Sequence, residues 1–297
     1  MLTRIISGAV GVVIMAVVLY FHDTIVLPIA VAFIIAVMLY ELLRAVNMHK
    51  CTPVLIASEI CGIVTPFIHA VSGVTYTDYA GGSRLPYSAI KLDIGLINYF
   101  VSFAVTLLCA FVIFVTWLKR HKEIRYEQVF FVLAVMILVP QAMSAIIRIH
   151  NFSEKEGLFL LIMGLCGAWI ADTGAYFSGV ALGKHKLCPE ISPKKTVEGF
   201  IGGILTTGIV YAVAFCIFAG GFDIRFALFA FITGAVCAVI GTVGDLSASM
   251  VKRQIGFKDY GKIMPGHGGL MDRFDSVLFV LPTFYAFIVM YSVFSLL

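Results

Sequence analysis

Apolar residues in this chain come in long unbroken stretches separated by short polar links, not in alternation. Nine stretches stand out, near 5–21, 25–43, 53–72, 95–118, 129–147, 157–180, 199–220, 225–248 and 275–297. Each is close to the roughly 20 residues an α-helix needs to cross a bilayer's hydrocarbon core. A helix satisfies its own backbone hydrogen bonds in lipid, and the ten-residue alternation of a membrane β-barrel is absent. The pattern predicts an all-α polytopic integral membrane protein with about nine transmembrane helices. The first stretch follows Arg4 without a clear cleavage site and reads as a retained span.

Composition sharpens this. Of 297 residues, 61% are hydrophobic and only 13% charged, about half the usual charged share. A soluble globular enzyme, a disordered tail and a secreted disulfide scaffold are thereby excluded. Seven cysteines, an odd number, lie mostly inside apolar runs and show no zinc spacing. They read as small buried hydrophobes. A net charge of +4 is too small to argue for a nucleic-acid partner.

Fifteen of the 21 Lys and Arg residues fall in the links after runs two, four, six and eight. The positive-inside rule puts those links in the cytoplasm. An N-terminus outside, the first expectation, does not fit them: with the even links inside, nine alternating spans begin inside and end outside. The stretch 73–94 reads as an extracytoplasmic loop. The chain divides by character into 1–150, about five nearly pure spans, and 151–297, about four spans with charged cytoplasmic loops at 183–198 and 250–273.

The densest charge runs from Gly244 to Asp275. Asp245, Ser249 and Lys252 share one helical face if run eight stays helical. Asp272 and Asp275 share another at the start of run nine. An antiparallel pair of helices could bring the three carboxylates together. Carboxylates crowded at one depth repel unless a cation lies between them, and hard oxygen ligands suit Mg²⁺ bridging to substrate phosphates. Neighbouring Lys and Arg suit phosphate oxygens. The link Pro265-Gly266-His267-Gly268-Gly269 allows tight turns and an anion-binding nest. The plain alternative is a solvated basic loop with acids at helix caps.

The second constellation begins at Asp172, an acid inside a membrane helix, which is costly and should face protein or water. It continues through Lys184 to Ser192-Pro193-Lys194-Lys195-Thr196, with Glu198 and Gly199 opening run seven. Two lysines between hydroxyl residues make a phosphate site or, equally, an ordinary basic loop. Gly179/Gly183 and Gly199/Gly203 have the spacing of close helix packing. Glu59 is ambiguous, His69 and His150 read as interfacial, and Pro140 should kink run five. No P-loop, HExxH or GxSxG motif occurs.

These motifs resemble the phosphatidate cytidylyltransferase (CDP-diacylglycerol synthase) family. The signature reads here as Ser249, Lys252-Arg253, Lys258-Asp259, Gly261, Pro265, His267-Gly268-Gly269, Asp272-Arg273 and Asp275. Met264 stands where Leu, Ile or Phe is more usual. Asp172, Ala175-Tyr176, Gly179 and 192–199 also match family motifs, whereas 1–150 shares only the general multi-span form. The resemblance implies that CTP and phosphatidate give CDP-diacylglycerol and pyrophosphate with Mg²⁺, in phospholipid biosynthesis. It implies metal binding by Asp245, Asp272 and Asp275, with a second cation plausible, and catalytic roles for Asp272, Lys258 and Arg273. It places Asp172, Ser192, Lys194, Lys195, Thr196, Lys252, Arg253 and His267 against the substrates. The partners are CTP, phosphatidate and surrounding lipid, and the GxxxG faces could support a homodimer. The expected home is a prokaryotic plasma membrane with the site facing the cytoplasm. Competing readings are a CTP-dependent kinase or cytidylyltransferase of another lipid and, remotely, an ion-coupled transporter.

Overall fold

A computed structural model describes residues 2–71, 94–266 and 268–294. The expected loop at 73–94, up to residue 93, and His267 lie outside the described residues. Among the described residues, eight helices are long and apolar enough to cross a membrane, as an integral membrane protein requires. The chain divides into two compact units, one of residues 8–154 and one of residues 1–7 with 155–297.

The 8–154 unit takes in most of α1 (Leu2–Tyr20), then α2 (Val26–Ala45), α3 (Thr52–Ala70), α4 (Ile94–Lys119), α5 (Tyr126–Met143) and α6 (Ala145–His150). Leu43, Val54, Cys61, Ile113, Val129 and Met136 pack in its core. The outward faces are equally apolar: Phe100, Leu108 and Phe111 of α4 are each at least 65% exposed. A helix apolar all round suits a lipid surround rather than water.

The fifth apolar run is one span in length but divides into α5 and α6 at Ser144. Pro140 sits inside α5 and cannot donate to the carbonyl of Met136. The Cys61 thiol donates to that carbonyl instead, at 3.7 Å. His69 is only 2% exposed, because the last turn of α3 is packed within the unit. All seven cysteines are free.

The second unit contains α7 (Gly157–Leu182), β1 (Lys186–Cys188), β2 (Ser192–Thr196), α8 (Val197–Phe218), α9 (Ile224–Ile255), α10 (Met271–Phe274) and α11 (Val277–Phe294). The α7 and α8 helices meet along glycines. A methyl group on Gly199 would lie 2.6 Å from the Ala175 carbonyl oxygen, and one on Gly203 would lie 2.8 Å from that of Ala171. The GxxxG spacing in α8 is therefore a packing seam.

Two stretches expected as loops carry structure. Residues 186–196 form an antiparallel hairpin pairing Lys186 with Thr196 and Cys188 with Ser192. Pro193 is tolerated there because a two-stranded ribbon leaves one edge of each strand unpaired. The hairpin is pinned to α8 by Glu198, which accepts hydrogen bonds from the Lys184 amide at 3.1 Å and pairs with His185 Nδ1 at 2.6 Å. The α9 helix continues past residue 250 to Ile255, where nothing breaks it until Gly256. That glycine adopts φ 79°, and the Phe257 amide turns back to the Lys252 carbonyl at 2.8 Å.

Candidate active site

Asp272 opens the short helix α10 and is the hub of the loop between α9 and α11. Its Oδ1 accepts from Lys252 Nζ at 2.7 Å. Its Oδ2 accepts from the Tyr260 amide at 2.8 Å and the Gly269 amide at 2.9 Å. The Asp272 side chain is 1% exposed and that of Lys252 11%. Reciprocal backbone bonds between Met264 and Gly268 close the loop into a tight turn. Gly268, at φ 90°, is needed because a Cβ there would lie 3.1 Å from Asp272 Oδ2.

Tyr260 lines the same clamp. Its hydroxyl donates to the Ala248 carbonyl at 3.0 Å, and the Lys252 ammonium lies 5.4 Å from its ring centre. Burial, then the charges of Asp272 and Asp275, push its phenol pKa well above the ordinary value. The hydroxyl therefore keeps its proton and remains a donor.

A second cluster draws on four separate parts of the chain. Lys195 of β2 forms an ion pair with Asp245 of α9, each side chain a quarter exposed. Asp275, 6% exposed, lies close enough to Asp245 for their charges to interact and accepts from the Ser276 amide at 2.8 Å. Asp172 of α7 lies within electrostatic reach of Lys195, Asp245 and Arg273. Gly244 permits the approach of α9 to α11: a Cβ there would lie 2.6 Å from the Phe279 ring and 3.0 Å from the Asp275 carbonyl.

The two constellations separated by about 50 residues of sequence thus converge. The three expected carboxylates divide, however. Asp245 and Asp275 adjoin, while both oxygens of Asp272 are occupied by Lys252 and two amides. Among the described residues, these three do not bring ligand atoms within 4.8 Å of one another as a group. The Asp245–Asp275 pair still fits a divalent cation, because two adjoining carboxylates repel unless a cation or proton lies between them.

The remaining expected residues are placed as follows. Lys194, Arg253, Lys258 and Arg273 are exposed, and Ser192 is half-buried on the hairpin. The Thr196 hydroxyl accepts from the Gly199 amide at 3.1 Å and caps α8, a structural use. Tyr260 was not among the expected site residues. Only its position between Asp259 and Gly261, inside the matching signature, marked it.

The sequence also has known relatives. The cytidylyltransferase family matches residues 2–291. A phosphatidate cytidylyltransferase of Bacillus subtilis (strain 168) is 39% identical over 202 residues, covering 68% of this chain and 70% of that one. Those of Staphylococcus haemolyticus and Staphylococcus saprophyticus are 45% and 48% identical over 130 residues, 44% of this chain and 49% of each relative. The chain therefore spans about half the length of the two staphylococcal relatives it matches. With a match that runs nearly from end to end, the chain belongs to the cytidylyltransferase family.

Proposed function

We propose that the protein is a phosphatidate cytidylyltransferase, converting CTP and phosphatidate to CDP-diacylglycerol and pyrophosphate. The observation that carries this reading is the convergence of Lys195, Asp172, Asp245 and Asp275 beside the Asp272–Lys252 clamp. The names of the relatives support the substrate pair.

In the proposed reaction a phosphate oxygen of phosphatidate attacks the α-phosphorus of CTP in line. The bond to the β-phosphate bridging oxygen breaks and pyrophosphate leaves. The attacking oxygen is already anionic, so no strong base is needed, and catalysis rests on positioning and charge neutralisation. Asp245 and Asp275 would hold Mg²⁺, which supplies positive charge to the triphosphate oxygens. Lys195, paired with Asp245, would move its ammonium to a substrate phosphate. Arg273 and Lys258 would neutralise the leaving pyrophosphate, with Lys194 and Arg253 as further phosphate contacts. Asp172 would keep Lys195 and Arg273 oriented. Asp272 is a positioning residue in this reading: it fixes Lys252 and the loop from Tyr260 to Gly269.

The bias of Lys and Arg toward alternate links supports a site facing the cytoplasm, where CTP is dissolved. Phosphatidate would present its phosphate from the adjoining leaflet. The bacterial relatives support a plasma membrane location. The test is pyrophosphate release by detergent-purified protein given CTP and Mg²⁺. Release that requires phosphatidate supports the proposal. Release unaffected by omitting phosphatidate overturns it.

A further inference from the structure

A second group of ligand-type side chains lies in the 8–154 unit, among residues the proposed reaction does not use. His22 and Asp23 sit in the turn between α1 and α2, and His150 ends α6. His22 Nδ1 lies 2.7 Å from His150 Nε2. Asp23 Oδ1 lies 2.9 Å from the first nitrogen and 3.3 Å from the second. Among the described residues this is the one group of three His, Cys, Asp or Glu whose ligand atoms gather within 4.8 Å.

We propose that His22, Asp23 and His150 bind a divalent transition-metal ion of the zinc type. The hydrogen bonding around the group supports this. The other ring nitrogen of His150, Nδ1, lies 3.0 Å from Asn151 Oδ1, an oxygen that can only accept. Nδ1 therefore carries the proton, and in the neutral ring Nε2 presents its lone pair to His22. A histidine ligand is commonly fixed through its far nitrogen in this way. One proton on His22 Nδ1 cannot serve both His150 Nε2 and Asp23 with good geometry. A cation at their centre satisfies all three at once, with the His22 proton carried on its Nε2.

Two imidazoles and one carboxylate suit Zn²⁺ and its neighbours rather than Mg²⁺, which prefers oxygen alone. Zn–N bonds of about 2.0–2.1 Å set two tetrahedral ligands about 3.3 Å apart, so the nitrogens must open by about 0.6 Å. His22 can move, since it lies in a short turn. Asp23 is 77% exposed, and the fourth position is open to water. The ion would join positions 128 residues apart in the chain, tying the α1–α2 turn to the end of α6.

The test uses the full chain, purified in detergent without a polyhistidine tag, stripped with chelator and titrated with Co²⁺. The proposal predicts saturable visible d–d absorption that Zn²⁺ displaces, lost in His22→Ala/His150→Ala. Asn151→Ala should bind about tenfold more weakly, as removal of such an outer partner does. Zn²⁺ should raise the melting temperature of the unaltered protein and not that of the double variant. If the double variant does not fold, Asp23→Asn, altered at an exposed position, must weaken binding instead. No saturable Co²⁺ signal in the unaltered protein overturns the proposal. So does a signal of the same affinity in the variants.

Discussion

The ammonium of Lys252 lies 2.7 Å from Asp272 Oδ1, a buried ion pair between the end of α9 and the start of α10. Two backbone amides fill Oδ2, so three of the roughly four acceptor sites of Asp272 are taken. Removing one partner of a buried pair leaves an uncompensated charge, at about 3–5 kcal/mol. Lys252→Met should therefore lower stability by roughly that amount in denaturant unfolding. In a double-mutant cycle, adding Asp272→Asn should cost less than the sum of the single changes.

Metal requirement separates the three carboxylates. Asp245→Asn and Asp275→Asn should raise the Mg²⁺ concentration needed for half-maximal turnover. Asp272→Asn should reduce kcat with that concentration unchanged, because its oxygens serve Lys252 and the loop. Titration of each variant with Mg²⁺ checks this, and a raised requirement in Asp272→Asn would make it a ligand.

Lys195→Ala removes a charge-assisted contact worth about 1.5–3 kcal/mol, or roughly tenfold or more in kcat/KM for CTP. Initial rates over a range of CTP concentrations measure it. An unchanged kcat/KM would take Lys195 out of the substrate site.

Alkaline stability reports on Tyr260. Its phenol is raised above the unfolded value, so its contribution to stability is intact below about pH 10 and is lost as pH rises further. Tyr260→Phe cannot ionise. It should lose the Ala248 bond, about 1 kcal/mol at neutral pH, and decline less steeply than the unaltered protein at high pH. Unfolding measured across alkaline pH provides the comparison.

The α7–α8 seam has little room. Gly199→Ala would press a methyl group to 2.6 Å from a backbone oxygen. Overpacking of this kind costs about 1–3 kcal/mol, which a shifted melting temperature should show.

Much of this was legible in the sequence because membrane helices announce themselves by unbroken apolar length. The oddity of charge in an apolar chain picked out Asp172, Lys195 and Asp245, but as two separate constellations that only the family resemblance joined. The separation of Asp272 from Asp245 and Asp275 was not. It depends on Lys252 and on amides of Tyr260 and Gly269, and backbone donors leave no mark in residue identity. The hairpin at 186–196 was hidden by Pro193 and its short strands. The continuation of α9 to Ile255 was hidden because polarity, not helix propensity, marks where an apolar run ends. His22 and His150 are too far apart in sequence for spacing to join them.

The proposed reaction transfers cytidylyl, not phosphoryl, to phosphatidate. Purified protein with Mg²⁺ and phosphatidate would be given CTP labelled on either the α- or the γ-phosphate, and the lipid extracted. Label should enter the lipid from α-labelled CTP and not from γ-labelled CTP. Lipid labelled from the γ-position would mean a CTP-dependent kinase and would contradict the proposed reaction.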